Sequence, residues 1–502
     1  MASRILGFAR DMLLAHVIGA GAIADAFFVA FKFPNFFRRL FAEGAFNAAF
    51  VPLFAGRLTT EGREAAVKFA SEVAAVLGTV MLALTTAAIL TMPWLMVVIA
   101  PGFVDAPEKF DLTVELTRIT FSYLFFMALI ALLGGMLNSL QRFAATAAAP
   151  IVLNIVLISV LLGIREGVLP NPGHAMAWGV AVAGFAQLVW IALACKRAGI
   201  MFVPPRPRLT PSVKRLLVLM APALLGAGIV QVNVVVDVIL ASTLQEGSVS
   251  FLYYADRINQ LPLGVVGVAV GITLLPLLTR QLRSGDLDAA LNSQNRAIEF
   301  ALTLTLPAAA ALIAIPGPIV TVLFQRGAFD PAAAEATAGA LAAFAIGLPA
   351  YVLIKALTPG YFAREDTKTP VKIAVSAMIV NLVLAITLMQ VMAHVGIALA
   401  TAITAWINAG VLGVVLVRRG HLAFDARLRR CLPRLAFATA AMALAIWWGA
   451  DFLAESLNGN EPRRIAALAA LVAGGGALFA VLALGSGAVR LKDLRSAMSR
   501  RA

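Results

Sequence analysis

The sequence predicts an all-α integral membrane protein of about fourteen transmembrane helices: two pseudo-symmetric six-helix lobes followed by a C-terminal pair. Three observations lead there. Of the 502 residues, 61% are apolar and only 13% charged, about half the charged share of a soluble domain. Apolar windows of bilayer-spanning length recur from end to end. Basic residues also rise and fall from loop to loop in step with those windows.

Taken in order, the helices read as roughly 1–20, 24–56, 68–100, 112–139, 145–165, 174–196, 212–244, 249–280, 288–313, 332–362, 368–392, 394–417, 432–452 and 462–486. The expected division is 1–200 for the first lobe, 201–420 for the second, and 421–502 for the last pair and a basic tail. No polar stretch between the spans is long enough to fold alone, so no attached soluble domain is expected. The opening does not read as a cleavable signal peptide, because arginines interrupt its apolar run. Met1 lies just before Ser3, so the first helix is expected to be cut short.

Most Lys and Arg fall after the even-numbered helices, as in Arg57–Lys68, Lys196–Arg215, Arg280–Arg296, Arg364–Lys372, Arg418–Arg434 and the Arg490–Arg501 tail. The opposite loops hold few, among them Lys109, Arg118 and Arg326, with Lys109 beside Asp105, Glu108 and Asp111. The positive-inside rule therefore puts both termini in the cytoplasm. On this reading the formal net charge of +14 sets topology and does not signal nucleic acid. Cys195 and Cys431 have neither metal-ligand spacing nor a disulfide pattern.

A repeat shows through. A shift of 224 residues lays Asp25–Pro52 over Val249–Pro276, with aromatic pairs coinciding and Pro52 falling on Pro276. A second echo relates Gln141–Asn154 to Ala363–Asn381, each with a basic residue, a proline and then an asparagine in the following span. Parallel repeats enclosing a central site are a transporter design.

The chemistry concentrates in Ser3–Pro52. This apolar stretch carries Arg4, Arg10, Asp11, Asp25, Lys32, Arg38, Arg39 and Glu43. Four arginines facing lipid would cost on the order of 10 kcal/mol, so they must face one another or a wet cavity. Asp25, Lys32 and Arg39, spaced by seven, share a helix face. Pro34 followed by Asn35 is expected to break or kink the second helix. Arg10 beside Asp11, and Arg39 with Glu43, can form internal ion pairs. Five cations against three carboxylates still leave positive charge, which asks for an anion such as phosphate. The second half adds Asp256 and Arg257, with Asp237 and Lys355 alone in their spans. No enzyme constellation appears: His16, His174, His394 and His421 are scattered, and no phosphate-binding glycine loop follows a strand.

These motifs resemble the MurJ (MviN) family of lipid II flippases, within the MOP exporter superfamily. The carrying residues are Ser3–Asp11, Asp25–Asn35, Arg38–Pro52, Ala100–Phe103, Gln141–Phe143, Tyr253–Arg257 and Thr358–Ile373. The resemblance implies a non-enzymatic transporter in the bacterial cytoplasmic (inner) membrane, with a central cationic cavity and alternating access. It implies movement of undecaprenyl-diphosphate-linked disaccharide-pentapeptide (lipid II) to the outer leaflet for peptidoglycan synthesis. The resemblance implies essential arginines at Arg4, Arg10, Arg38 and Arg257, with Asp25 also important; the residue pattern itself adds Arg39 to the expected substrate-binding set and Asp11, Glu43 and Asp256 as supporting acids. Some members bind sodium through two aspartates, an asparagine and a threonine; Asp237, Asn381 and Thr401 match, but the second aspartate position is Ala385. The expected driving force is thus sodium or the membrane potential, with no other cofactor. The expected partners are lipid II, the phospholipid bilayer and the cell-wall synthesis and division machinery, with no nucleic acid and the chain a monomer. Two alternatives are a relative flipping another polyprenyl-diphosphate glycan and a membrane enzyme acting on such lipids.

Overall fold

The computed structural model describes residues 2–38, 46–200 and 205–489, and every regular element among them is helical. The chain forms two compact units, Met1–Ser250 with Arg326–Phe329, and Phe251–Gln325 with Asp330–Ala502.

The first unit is built from α1 (Ala2–Ile18), α2 (Ala22–Arg38), α3 (Phe46–Thr60), α4 (Arg63–Leu90), α5 (Met92–Ile99), α6 (Pro107–Ser139), α7 (Phe143–Arg165), α8 (Pro172–Arg197) and α9 (Pro211–Ser242). The second unit takes nearly all of α10 (Ser248–Arg283), then α11 (Leu287–Ala314), α12 (Pro316–Phe324), α13 (Pro331–Phe362), α14 (Lys368–Arg418), α15 (Ala426–Phe452), α16 (Ala454–Leu457) and α17 (Glu461–Gly485). Among the described residues nine helices are long and apolar enough to cross a bilayer. One of them, α14, has 51 residues, which at ~1.5 Å per residue is more than twice the ~30 Å of a hydrocarbon core. It is two helices joined at Ala393, whose φ of 47° and ψ of −131° are not helical. There the chain folds back so closely that a Cβ on Gly396 would collide with the carbonyl of Leu388.

Each unit is organised around one helix apolar on all sides, and such a helix must be enclosed by others. In the first unit this is α6, which α2, α3, α4 and α8 surround; in the second it is α13, flanked by α11, α12 and α14. Two-thirds of the apolar window of α6 and of α13 is buried (67% each), against 22% for α7 and 17% for α17, which turn most of their surface outward. Outward side chains include Trp94, Phe437 and Phe452, the kind of surface a bilayer covers. One interior polar side chain ties three helices. Gln187 accepts from the Tyr123 hydroxyl at 3.2 Å and donates to the Ala149 carbonyl at 2.8 Å, tying α6, α8 and α7 together.

The repeat is visible in the element boundaries. Arg63 and Leu287, Met92 and Pro316, and Pro107 and Pro331 open corresponding helices 224 residues apart, the offset that aligns the sequence. It corrects two expected elements. The expected helix 68–100 is two helices, α4 and α5, separated at Thr91, and the expected helix 288–313 is followed by a further one, α12. Both breaks precede a proline near the start of the next helix, Pro93 and Pro316. A proline is accommodated in the first turn but deprives a helix interior of a hydrogen bond.

Pro34 behaves in the opposite way to the expected break: α2 remains helical through it to Arg38. A proline there leaves the Ala30 carbonyl without its intrahelical donor. The buried Thr120 hydroxyl of α6 supplies one at 2.7 Å. Asn35, whose side chain donates to the Phe31 carbonyl at 2.9 Å, closes the same turn from within. The expected continuation of the second helix through 39–45 lies outside the described residues, and with it Arg39 and Glu43.

Candidate functional site: the buried charges

Among the described residues, two ion pairs lie buried inside the first unit, where a lone charge would be strongly disfavoured. The first joins neighbours on α1. Arg10 donates to Asp11 Oδ1 through Nη2 at 2.7 Å and Nε at 3.1 Å. Its Nη1 donates to Asn154 Oδ1 on α7 at 3.1 Å, and the guanidinium lies 5.9 Å from the Phe31 ring centroid. Asn154 completes the link by donating its Nδ2 to the Ser3 carbonyl at 3.0 Å. Arg10 is 5% exposed and Asp11 2%. The sequence reading missed Asn154 as a site residue, although the echo with Asn381 had already set it apart.

The second pair centres on Asp25, in the first turn of α2 and 1% exposed. Its carboxylate accepts from Lys109 Nζ at 2.7 Å, Gly247 N at 2.8 Å, Ser250 N at 2.9 Å and Ser250 Oγ at 2.6 Å. Four donors on two oxygens use nearly all the acceptor capacity of a carboxylate. Lys109, expected as a loop charge balanced by its neighbours, is instead turned inward: its side chain is 10% exposed and its Nζ lies 4.1 Å from the centre of the Phe103 ring. A third bond joins the same segments, from Ala22 N to Glu246 Oε1 at 2.9 Å. These partners of α2 lie 222 to 225 residues away, close to the repeat offset. The starts of the repeat-related helices α2 and α10 therefore meet. Beside them α1 ends at Gly19, where φ is +74° and a Cβ would run into the Ala328 carbonyl; Ala328 N in turn donates to the His16 carbonyl at 2.9 Å.

The remaining expected residues sort as follows. Arg4 is exposed on α1, and Arg38 closes α2, with its backbone alone described. Arg10 balances Asp11 and Lys109 balances Asp25, while Arg39 and Glu43 lie outside the described residues. In the second unit Arg257 is half-buried on α10, donating Nη2 to the Tyr253 hydroxyl at 3.0 Å with its guanidinium 5.0 Å from that ring's centroid. Asp256 accepts from Gln260 one turn on. Asp237 lies in the first unit, Asn381 and Thr401 in the second. The Thr401 hydroxyl donates to its own helix at Ile397, Asn381 is 2% exposed, and Ala385 is fully buried. Within the second unit Asn381 offers an amide oxygen and Thr401 a hydroxyl, while Ala385 contributes no ligand atom.

The sequence pattern of the family described as "Lipid II flippase MurJ" matches residues 14–464. A Rhizobium meliloti (strain 1021) protein described as a probable lipid II flippase MurJ is 48% identical over 507 aligned residues, covering 100% of this chain and 94% of its own length. A Rhizobium tropici protein of the same description is 51% identical, covering 88% of this chain and 83% of its own. Among solved structures, a lipid II flippase MurJ in an inward closed conformation superposes with a TM-score of 0.78 at 24% identity over 96% of both chains. An inward-facing MATE family multidrug transporter of the MOP superfamily gives 0.67 at 15% identity, over 83% of this chain and 94% of that one. Those two likenesses are of fold alone.

Proposed function

The chain belongs to the MurJ family, and from that premise we propose that it is a lipid II flippase, a multi-pass inner-membrane transporter serving peptidoglycan synthesis. The observation that carries the reading is the family match over residues 14–464, together with 48% identity along the whole chain to a relative so described. The chemistry is consistent with it. Lipid II carries a diphosphate, and the opening stretch carries five cations against three carboxylates. Guanidinium forks suit phosphate oxygens because two parallel N–H bonds can be made at once.

On this reading residues 1–200 and 201–420 are lobes around a cationic cavity, with both termini cytoplasmic. Arg38 and Arg257 take the diphosphate, and Arg4 and Arg39 set the field. Arg10 exchanges Asp11 for the substrate as access alternates, and Asp25 is a supporting acid in the gating. The membrane potential, worth ~2.3 kcal/mol per charge per 100 mV, resets the empty cationic cavity; no step is assigned to sodium.

The test is depletion of this protein in its own cells, followed by a leaflet-sensitive assay of lipid-linked precursor. Lipid II should accumulate in the inner leaflet, and the wild-type chain should clear it. Normal precursor in the outer leaflet after depletion would mean that the chain carries something else.

A further inference from the structure

In the first unit, where α3 stops and α4 and α9 begin, Arg57, Thr60, Glu61, Phe69, Ser212 and Arg215 line an open groove of about 240 Å³. That is several times the ~30 Å³ a water takes in the liquid, room for a phosphate with its first substituents. Arg57 is held in place on three sides. Its guanidinium stacks 4.5 Å from the Phe69 centroid, Nη2 donates to Ser212 Oγ at 2.6 Å, and Nε stands 4.0 Å from Glu61. A long side chain left in water keeps its rotamer freedom; here that freedom is already surrendered before anything binds. Arg215 lines the same groove, is exposed, and makes no ion pair among the described residues. Two guanidiniums against one carboxylate leave the groove with a single positive charge.

The surroundings decide between a free anion and a lipid. Just beyond Arg215 on α9, Leu217, Val218 and Leu219 are all exposed, so apolar surface leads directly off the polar groove. An ion in water has no use for such a surface, whereas a phosphate carrying acyl chains does. Arg63 and Lys68 on α4 and Lys214 on α9 add exposed cations at the same end, the arrangement that draws anionic headgroups to a membrane face.

We propose that this groove binds the headgroup of an anionic glycerophospholipid of the phosphatidylglycerol type. Arg57 and Arg215 hold the phosphodiester oxygens, the Thr60 and Ser212 hydroxyls meet the glycerol, and the acyl chains run over Leu217–Leu219. The net charge matches a lipid of net charge −1 better than a zwitterionic one. The site shares no residue with the charged pairs of α1, α2 and α10, and it stands whether or not the chain moves lipid II.

The full chain, purified in mild detergent and exchanged with equal amounts of phosphatidylglycerol and phosphatidylethanolamine, should retain one phosphatidylglycerol in native mass spectrometry. Arg215→Gln should lower that retention about tenfold, the loss of one charge-assisted contact. Arg165→Gln, which removes an exposed cation at the end of α7 that the proposal does not use, should leave it unchanged, and millimolar inorganic phosphate should not displace the lipid. Because Arg57 also braces α3 against α9, the exposed Arg215 is the deciding variant. Equal retention of the two lipids, indifference to Arg215→Gln, or displacement by inorganic phosphate alone would each overturn the proposal.

Discussion

Asp25 and Asp366 are two aspartates in similar company and opposite surroundings. Asp25 accepts from an ammonium, two backbone amides and a hydroxyl. Asp366, in the loop between α13 and α14, accepts from Arg419 Nη1 at 2.7 Å and Thr369 N at 3.0 Å. The Asp25 side chain is 1% exposed and that of Asp366 26%. Solvent decides what the same bonds are worth. Breaking a buried pair strands a charge and costs about 3–5 kcal/mol, while an exposed pair contributes about 0–1 kcal/mol. Asp25 is therefore a structural junction of the first unit, and Asp366 a local clasp on a loop.

The comparison breaks most visibly at Asp25. Asp25→Ala leaves the Lys109 ammonium and the amides of Gly247 and Ser250 without their acceptor. It should cost about 3–5 kcal/mol in detergent unfolding, and Lys109→Met in the same background should recover part of the loss. A loss below about 1 kcal/mol would put Asp25 in the class of Asp366. Asn154→Leu comes next: it removes the acceptor of Arg10 Nη1 and the donor to Ser3, with an expected loss of about 1–3 kcal/mol in the same measurement.

Thr120→Val should cost about 1 kcal/mol or somewhat more, because it returns the Ala30 carbonyl at Pro34 to an unsatisfied state. In a Pro34→Ala background the restored amide should erase most of that penalty. Asp366→Asn should be the mildest. The hydroxyl and amide of Thr369, with Arg419, hold the Asp366 carboxyl down at about 2 from its ordinary 3.8. A carboxyl lowered on folding stabilises above its unfolded value and loses that contribution as pH falls through its folded one. The small difference between wild type and Asp366→Asn in unfolding midpoint should accordingly be flat at neutral pH and close between about 4 and 2.

Much of this architecture was legible in the sequence because bilayer spans and repeats are read from periodicity. The offset of 224 found by laying Asp25 over Val249 recurs in the starts of α4 and α11, α5 and α12, and α6 and α13. Pro93 and Pro316 were the available signal for the extra breaks, since each sits where only a first turn tolerates it. Partners distant along the chain were harder. Lys109 has three acids within four residues, which disguised it as a balanced loop charge, while its true acceptor is 84 residues away. Pro34 looked like a breaker because its compensating hydroxyl, Thr120, is 90 residues from Ala30. Arg10 with Asp11 was readable as an adjacent pair, but the burial and the Asn154 link that make it a junction belong to tertiary packing.

The most direct test of the central claim uses the purified chain in liposomes, with fluorescent lipid II followed from one leaflet to the other under an imposed membrane potential. The account predicts that the wild-type chain moves lipid II. It also predicts that Arg257→Gln slows movement about tenfold or more, the loss of a charge-assisted phosphate contact, while its unfolding midpoint stays near that of the wild type. Movement at the wild-type rate by Arg257→Gln would contradict the assigned grip, and no movement by the wild-type chain would contradict the flippase itself.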